Sequence, residues 1–119
     1  MHIFYILFFT IIQSDFDISP RDLNKILNNK QSFNVLLDVR TVEEFSDSKI
    51  PGSLNIDYYL EDFNSHLDSL DKNLNYYIYC KSGNRSTKTL ILLKGKGFKN
   101  VFNLEGGIIA WKDSNYPTN

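Results

Sequence analysis

The chain of 119 residues holds one cysteine, Cys80, in the run Cys80-Lys81-Ser82-Gly83-Asn84-Arg85-Ser86. An aromatic, β-branched stretch, Tyr76–Tyr79, precedes it and reads as a strand, and a helix is expected to begin near Arg85 or Ser86. A loop between a strand end and a helix start aims backbone N–H groups into one concavity, and the helix dipole adds to their field. Gly83 permits the tight turn, Ser82 and Ser86 bring hydroxyl donors, and Lys81 and Arg85 bring positive charge. Such surroundings favour a thiolate and bring cysteine pKa values to ~3.5–7.5 from ~8.5. Cys80 is therefore expected to be an ionised nucleophile, with Lys81, Ser82, Gly83, Asn84, Arg85 and Ser86 binding an anion. A lone cysteine without this context reads as a small buried hydrophobe.

Charge supports an anion near the thiol. Net charge is −1, from 13 Lys+Arg and 14 Asp+Glu, but the average conceals a split. Residues 15–71 carry 12 acids and 5 bases, whereas residues 72–104 carry 7 bases and no acid. Solvated lysines on helix faces would give the same split. The near-neutral total argues against a nucleic-acid binder. One cysteine excludes an internal disulfide framework and a Cys-rich zinc site.

The elements that must position this loop alternate along the chain. Phe16 and Ile18 read as a short strand, and Ser19-Pro20-Arg21-Asp22 as a capped helix start with Leu23, Ile26 and Leu27 on one face. Phe33–Val39 reads as a buried strand. Thr41-Val42-Glu43-Glu44 is a capping-box pattern that predicts a short helix. Pro51-Gly52 marks a turn, Leu54 and Ile56 a third strand, and Leu60, Phe63 and Leu67 helical spacing. Helical periodicity resumes over Thr87–Lys94 through Leu90, Ile91 and Leu93 and stops at Gly95 and Gly97. Val101 and Phe102 form a fifth strand, Gly106-Gly107 a turn, and Ile108–Trp111 a last helix. This alternation predicts an α/β fold, a central, mainly parallel five-stranded sheet flanked by helices, with ligands at the carboxyl ends of the strands.

Taken together, the motifs resemble a known family. CKSGNRS is similar to the active-site loop of rhodanese-like domains, usually Cys-x-x-Gly-x-Arg-Ser/Thr. Leu37-Asp38-Val39-Arg40 with Glu43-Glu44-Phe45, and Ile50-Pro51-Gly52-Ser53-Leu54-Asn55-Ile56, resemble further family segments in order and spacing. So do Gly97-Phe98-Lys99-Asn100-Val101 and Leu104-Glu105-Gly106-Gly107-Ile108 through Trp111. The family often has Gly-His before Ile-Pro-Gly, where this chain has Ser48-Lys49.

The resemblance implies a single-domain sulfurtransferase in which Cys80 takes sulfane sulfur from thiosulfate or a persulfide donor as its own persulfide. Its partners would be a small anionic sulfur donor and an external thiol, cyanide or protein acceptor, because no second cysteine exists in the chain. It implies no metal and no organic cofactor. Lys81 and Arg85 would attract the dianion, Arg85 through a forked contact. The alternatives are a cysteine-dependent phosphatase or arsenate reductase, and a non-catalytic persulfide-carrying or binding module. Phosphatase loops commonly place five residues between Cys and Arg, and here there are four.

Outside the loop the expected roles are structural. Asp38 and Arg40 should pair with neighbours such as Glu43 or Glu44. Tyr76, Tyr77 and Tyr79 should be strand core, Trp111 a packing anchor and His66 a surface residue. Glu105 suits a cleft or a turn. Residues 1–14 form an apolar segment before a domain over 15–119. Its run Ile3–Ile12 is shorter than the ~20 residues that cross a bilayer, but matches a signal-peptide apolar region. A signal peptide, a membrane contact through residues 3–12 and a packed strand or helix are all compatible with it. Exported, membrane-tethered and cytoplasmic locations stay open.

Overall fold

The computed structural model describes residues 16–119. The expectations attached to residues 1–14 lie outside the described residues. Among those described, no helix is long and apolar enough to cross a membrane.

Ten elements alternate along the chain. They are β1 (Asp17–Ile18), α1 (Pro20–Asn28), β2 (Asn34–Asp38), α2 (Val42–Asp47), β3 (Leu54–Asn55), α3 (Phe63–Asp68), β4 (Asn75–Tyr79), α4 (Asn84–Gly95), β5 (Val101–Leu104) and α5 (Gly107–Asp113). The strands form one sheet in the order β1-β5-β4-β2-β3. Every pairing is parallel, so the sheet is fully rather than mainly parallel. Parallel neighbours need crossover helices, and those helices cover both faces.

Alternation along β4 sorts the core into two layers. Tyr76, Ile78 and Cys80 face the cluster that contains Phe63, Leu67, Leu90 and Leu93 from α3 and α4. Tyr77 and Tyr79 face the cluster that contains Leu23 from α1 and Ile108 and Trp111 from α5. The tyrosines are core, as expected, and Tyr77 stacks on Phe102 with ring centroids 5.4 Å apart. Each fully buried leucine of these layers contributes about 1.5–3 kcal/mol relative to an exposed one.

The capping signals act as read. Ser19 Oγ accepts from the Asp22 amide, and Thr41 and Glu44 form a reciprocal capping box. Two details differ from periodicity. Ile91 is 63% exposed, because α4 turns Ser86, Thr89, Leu90 and Leu93 inward instead. Leu60 is also exposed and precedes α3, whose buried residues are Phe63 and Leu67.

Candidate active site

The cysteine loop lies at the carboxyl end of β4, where the chain leaves the sheet for α4. Gly83 caps α4 at φ +111°, a conformation that glycine adopts without penalty. The turn wraps the loop around the sulfur. Gly83 N donates to Cys80 Sγ at 3.1 Å, Ser86 N donates at 3.4 Å, and Ser86 Oγ lies 3.3 Å away. Cys80 is only 1% exposed. Burial pushes its thiol up, but the Ser86 hydroxyl and the Ser86, Gly83 and Ser82 amides outweigh that, and the net displacement is downward. The sulfur is thus buried and surrounded by donors, which is how a low-dielectric site holds negative charge.

A second element braces the loop from beneath. Ile108 N donates to Cys80 O at 2.9 Å, and Ile109 N donates to Lys81 O at 3.2 Å. The first turn of α5 therefore receives the carbonyls that β4 leaves behind. Gly107 makes this approach possible: a Cβ there would collide with the Lys81 carbonyl and meet Cys80 O at 2.7 Å, and its φ is +63°. The Gly106-Gly107 pair serves close backbone packing as well as a turn.

The charged residues are arranged differently from the sequence expectation. Arg40 does not pair with the side chain of Glu43 or Glu44. Its guanidinium holds Asp38 at 2.7 Å, both side chains nearly fully buried, and donates to the carbonyls of Glu44 and Ser48. This pair ties β2 to the carboxyl end of α2. Glu44 is then free to reach the loop, and its carboxylate takes a forked contact from Arg85 at 2.7 and 3.0 Å. The fork anticipated for a donor anion is made inside the chain. The same carboxylate accepts from Thr41 N and Thr41 Oγ1, so one residue caps α2 and neutralises Arg85. Arg85 contacts hold the Glu44 carboxyl down to about 2, against the opposing effect of burial.

Of the anticipated loop residues, the structure brings Gly83 and Ser86 onto the sulfur, with the Ser82 amide contributing. Asn84 is exposed at the start of α4. Lys81 turns to a shallow hollow shared with Arg40, Asp47 and Lys112. A larger cavity of about 580 Å³ runs beside the loop, lined by Ser82, Gly83, Phe16, Leu90, Asn103 and Glu105 among others. Glu105 faces this cleft. His66 is a surface residue beside Asp62, and Trp111 is a buried anchor donating to Pro117 O at 2.8 Å. Among the described residues, no group of three or more His, Cys, Asp or Glu is placed to hold a metal ion.

Sequence reasoning placed neither Glu44 nor Asn103 in the site. Asn103, on β5, accepts from Ser86 Oγ at 2.5 Å and donates to Asp17 Oδ1 at 3.1 Å. A polar residue inside an otherwise apolar strand, on the face occupied by Val101, was the available signal.

Comparison with known proteins bears on the chain as a whole. A sequence profile described as the rhodanese-like domain matches residues 19–114. A protein of Allochromatium vinosum named sulfurtransferase is 35% identical over 83 residues, covering 70% of this chain and 76% of its own. The adenylyltransferase and sulfurtransferase UBA4 of Debaryomyces hansenii is 32% identical over 118 residues; the match covers 90% of this chain but only 26% of that much longer protein. The crystal structure of a rhodanese-related protein from Thermoplasma volcanium superposes with a TM-score of 0.76 at 28% identity, covering 87% of this chain and 96% of that one.

Proposed function

The chain belongs to the rhodanese-like domain family, and from that premise we propose that it is a sulfurtransferase whose covalent sulfur carrier is Cys80. Sulfur transfer in the general sense is the activity that the names of its relatives carry. The finer reading concerns donor and intermediate. The Cys80 thiolate attacks the outer sulfur of thiosulfate, a Sγ–S bond forms, and sulfite leaves with the electron pair of the broken S–S bond. The terminal sulfur of the resulting persulfide keeps the negative charge. An external thiophile such as cyanide then attacks that sulfur, takes it as thiocyanate and returns the thiolate. This is covalent catalysis in two displacements with no net oxidation. A low-molecular-weight persulfide enters the same way, leaving as its thiolate.

The observation that supports this best is the pair of amides, Gly83 and Ser86, aimed at Sγ from a loop braced by α5. Amides fixed in place before reaction stabilise developing charge without reorganisation. Arg85, already paired with Glu44, contributes a compensated charge near the sulfur rather than an open fork. The acceptor comes from outside, because Cys80 is the sole cysteine of the chain.

Intact-protein mass measurement after incubation with thiosulfate, and separately with a low-molecular-weight persulfide, tests the reading. The expected result is a gain of one sulfur atom, removable by cyanide and absent in Cys80→Ser. No gain with either donor, or a gain that survives Cys80→Ser, would overturn it.

A further inference from the structure

Ser86 has one hydroxyl proton and two neighbours that need it. Cys80 Sγ lies 3.3 Å from Ser86 Oγ and Asn103 Oδ1 lies 2.5 Å from it. The orientation of the Asn103 amide is not free: Nδ2 donates to Asp17 Oδ1 at 3.1 Å, so the carbonyl oxygen must face Ser86. The topology makes this arrangement possible. Asn103 pairs with Ile78 on one side and with Asp17 on the other, and Cys80 follows Ile78 by two residues on the same face of the sheet. Asn103 is 5% exposed, and β5 supplies no other donor to that oxygen from its own side chains.

We propose that Asn103, oriented by Asp17, is a positioning residue that competes with the sulfur for the Ser86 proton and so sets how readily Cys80 ionises. With a neutral thiol the hydrogen bonds run in one direction, from Cys80 to Ser86 to Asn103 to Asp17, and every acceptor is filled. When Cys80 loses its proton the chain breaks. Either Ser86 turns to the thiolate and leaves a buried carbonyl oxygen empty, or it stays with Asn103 and offers the thiolate a lone pair. Both outcomes take back part of the stabilisation that the Ser86 hydroxyl can give the thiolate, and the loop amides supply the rest.

Charged groups reach the sulfur's surroundings from several other elements. Arg85 on α4 feels the sulfur's charge and is itself held by Glu44 of α2. Asp38 and Arg40 at the end of β2 close on each other. Lys81 faces the hollow on the other side of the loop, while Lys94 of α4 and Glu105 line the larger cavity. Asp17 reaches the sulfur through Asn103 and Ser86.

For turnover, this inference rests on Cys80 being the nucleophile, but the ionisation it predicts is read without any sulfur donor. Failure here would therefore not count against sulfur transfer, nor the reverse. The experiment follows the rate of alkylation by iodoacetamide against pH in the full chain. Asn103→Leu removes the competing acceptor at nearly constant size and should lower the midpoint by about one pH unit, roughly a tenfold gain in thiolate below it. Asp17→Ala releases the amide to turn its Nδ2 towards Ser86 and should lower the midpoint in the same direction. Asp17 is exposed, so this variant serves if Asn103→Leu does not fold. Neither change should move the midpoint in a Ser86→Ala background. A rise or no change in both variants, or a shift that persists without the Ser86 hydroxyl, would overturn the proposal; the second result would mean a through-space effect.

Discussion

Replacing Glu44 by Gln removes the charge that Arg85 holds while keeping the capping box, because a glutamine oxygen still accepts from Thr41 N. The consequence can be worked from the carboxyl. Its pKa is held to about 2 instead of 4.5, chiefly by the hydrogen bonds from Arg85, with burial opposing them. A depression of that size corresponds to an upper figure of about 3 kcal/mol. Glu44 is 30% and Arg85 16% exposed at their side chains, so water screens part of it. About 1–2 kcal/mol is left for the ion pair at neutral pH. The sign follows from the depressed value. The stabilisation is complete above the unfolded-state pKa near 4.5, falls as the pH drops, and is gone below about 2. Urea titrations of both proteins between pH 7 and pH 2 should therefore show a gap in unfolding free energy that narrows below pH 4.5 and closes by pH 2. A gap that stays constant over this range would locate the effect in packing, and the absence of any gap at pH 7 would refute the pair as a stabilising contact.

The remaining predictions concern the scaffold of the loop. Gly107→Ala should lower the thermal midpoint by roughly 10 °C, since a Cβ at positive φ collides with the Lys81 and Cys80 carbonyls and costs about 2 kcal/mol or more; a melting curve unchanged within about 2 °C would show that α5 does not hold the loop. Asp38→Asn should cost about 3 kcal/mol in urea unfolding, because it leaves the Arg40 guanidinium buried without its counter-charge; a loss below about 1 kcal/mol would mean that Arg40 finds its partners elsewhere.

How much of this was legible beforehand depended on the range of the interaction. Ser19 and the Thr41–Glu44 box announce helices through contacts three residues apart, and both helices start where those residues put them. The runs around Leu36–Leu37 and Tyr76–Tyr79 announce strands because a sheet covered on both faces needs continuous apolar segments. Parallel order follows, since each strand is separated from the next by a helix. The side chosen by a single residue was harder to foresee. Ile91 has the spacing of a core residue yet points to solvent, because the inward face of α4 is the one that carries Ser86 to the sulfur together with Leu90 and Leu93. The polar contact at the start of the helix selects among the apolar faces further along.

The site divides in the same way. The amides around Cys80 follow from a glycine three residues after the cysteine and a helix start, all within one short segment. What surrounds the hydroxyl and the guanidinium does not. Glu44 meets Arg85 across 41 residues and Asn103 meets Asp17 across 86. The first requires that β2 lie beside β4, and the second that β5 lie between β1 and β4, a strand order no local pattern encodes. Yet the crossover itself constrains where such partners can sit. The helix that starts after Cys80 returns the chain to β5, the neighbour of β4, so a β5 residue on the Cys80 face must come to rest against the first turn of that helix. Asn103 is that residue, and only a side chain carrying both an acceptor and a donor can satisfy Ser86 on one side and Asp17 on the other. The loop's sequence supplies the donors that favour charge on the sulfur, and the strand order supplies the acceptor that opposes it. The ionisation of Cys80 is therefore a property of the sheet as much as of the segment in which the cysteine stands.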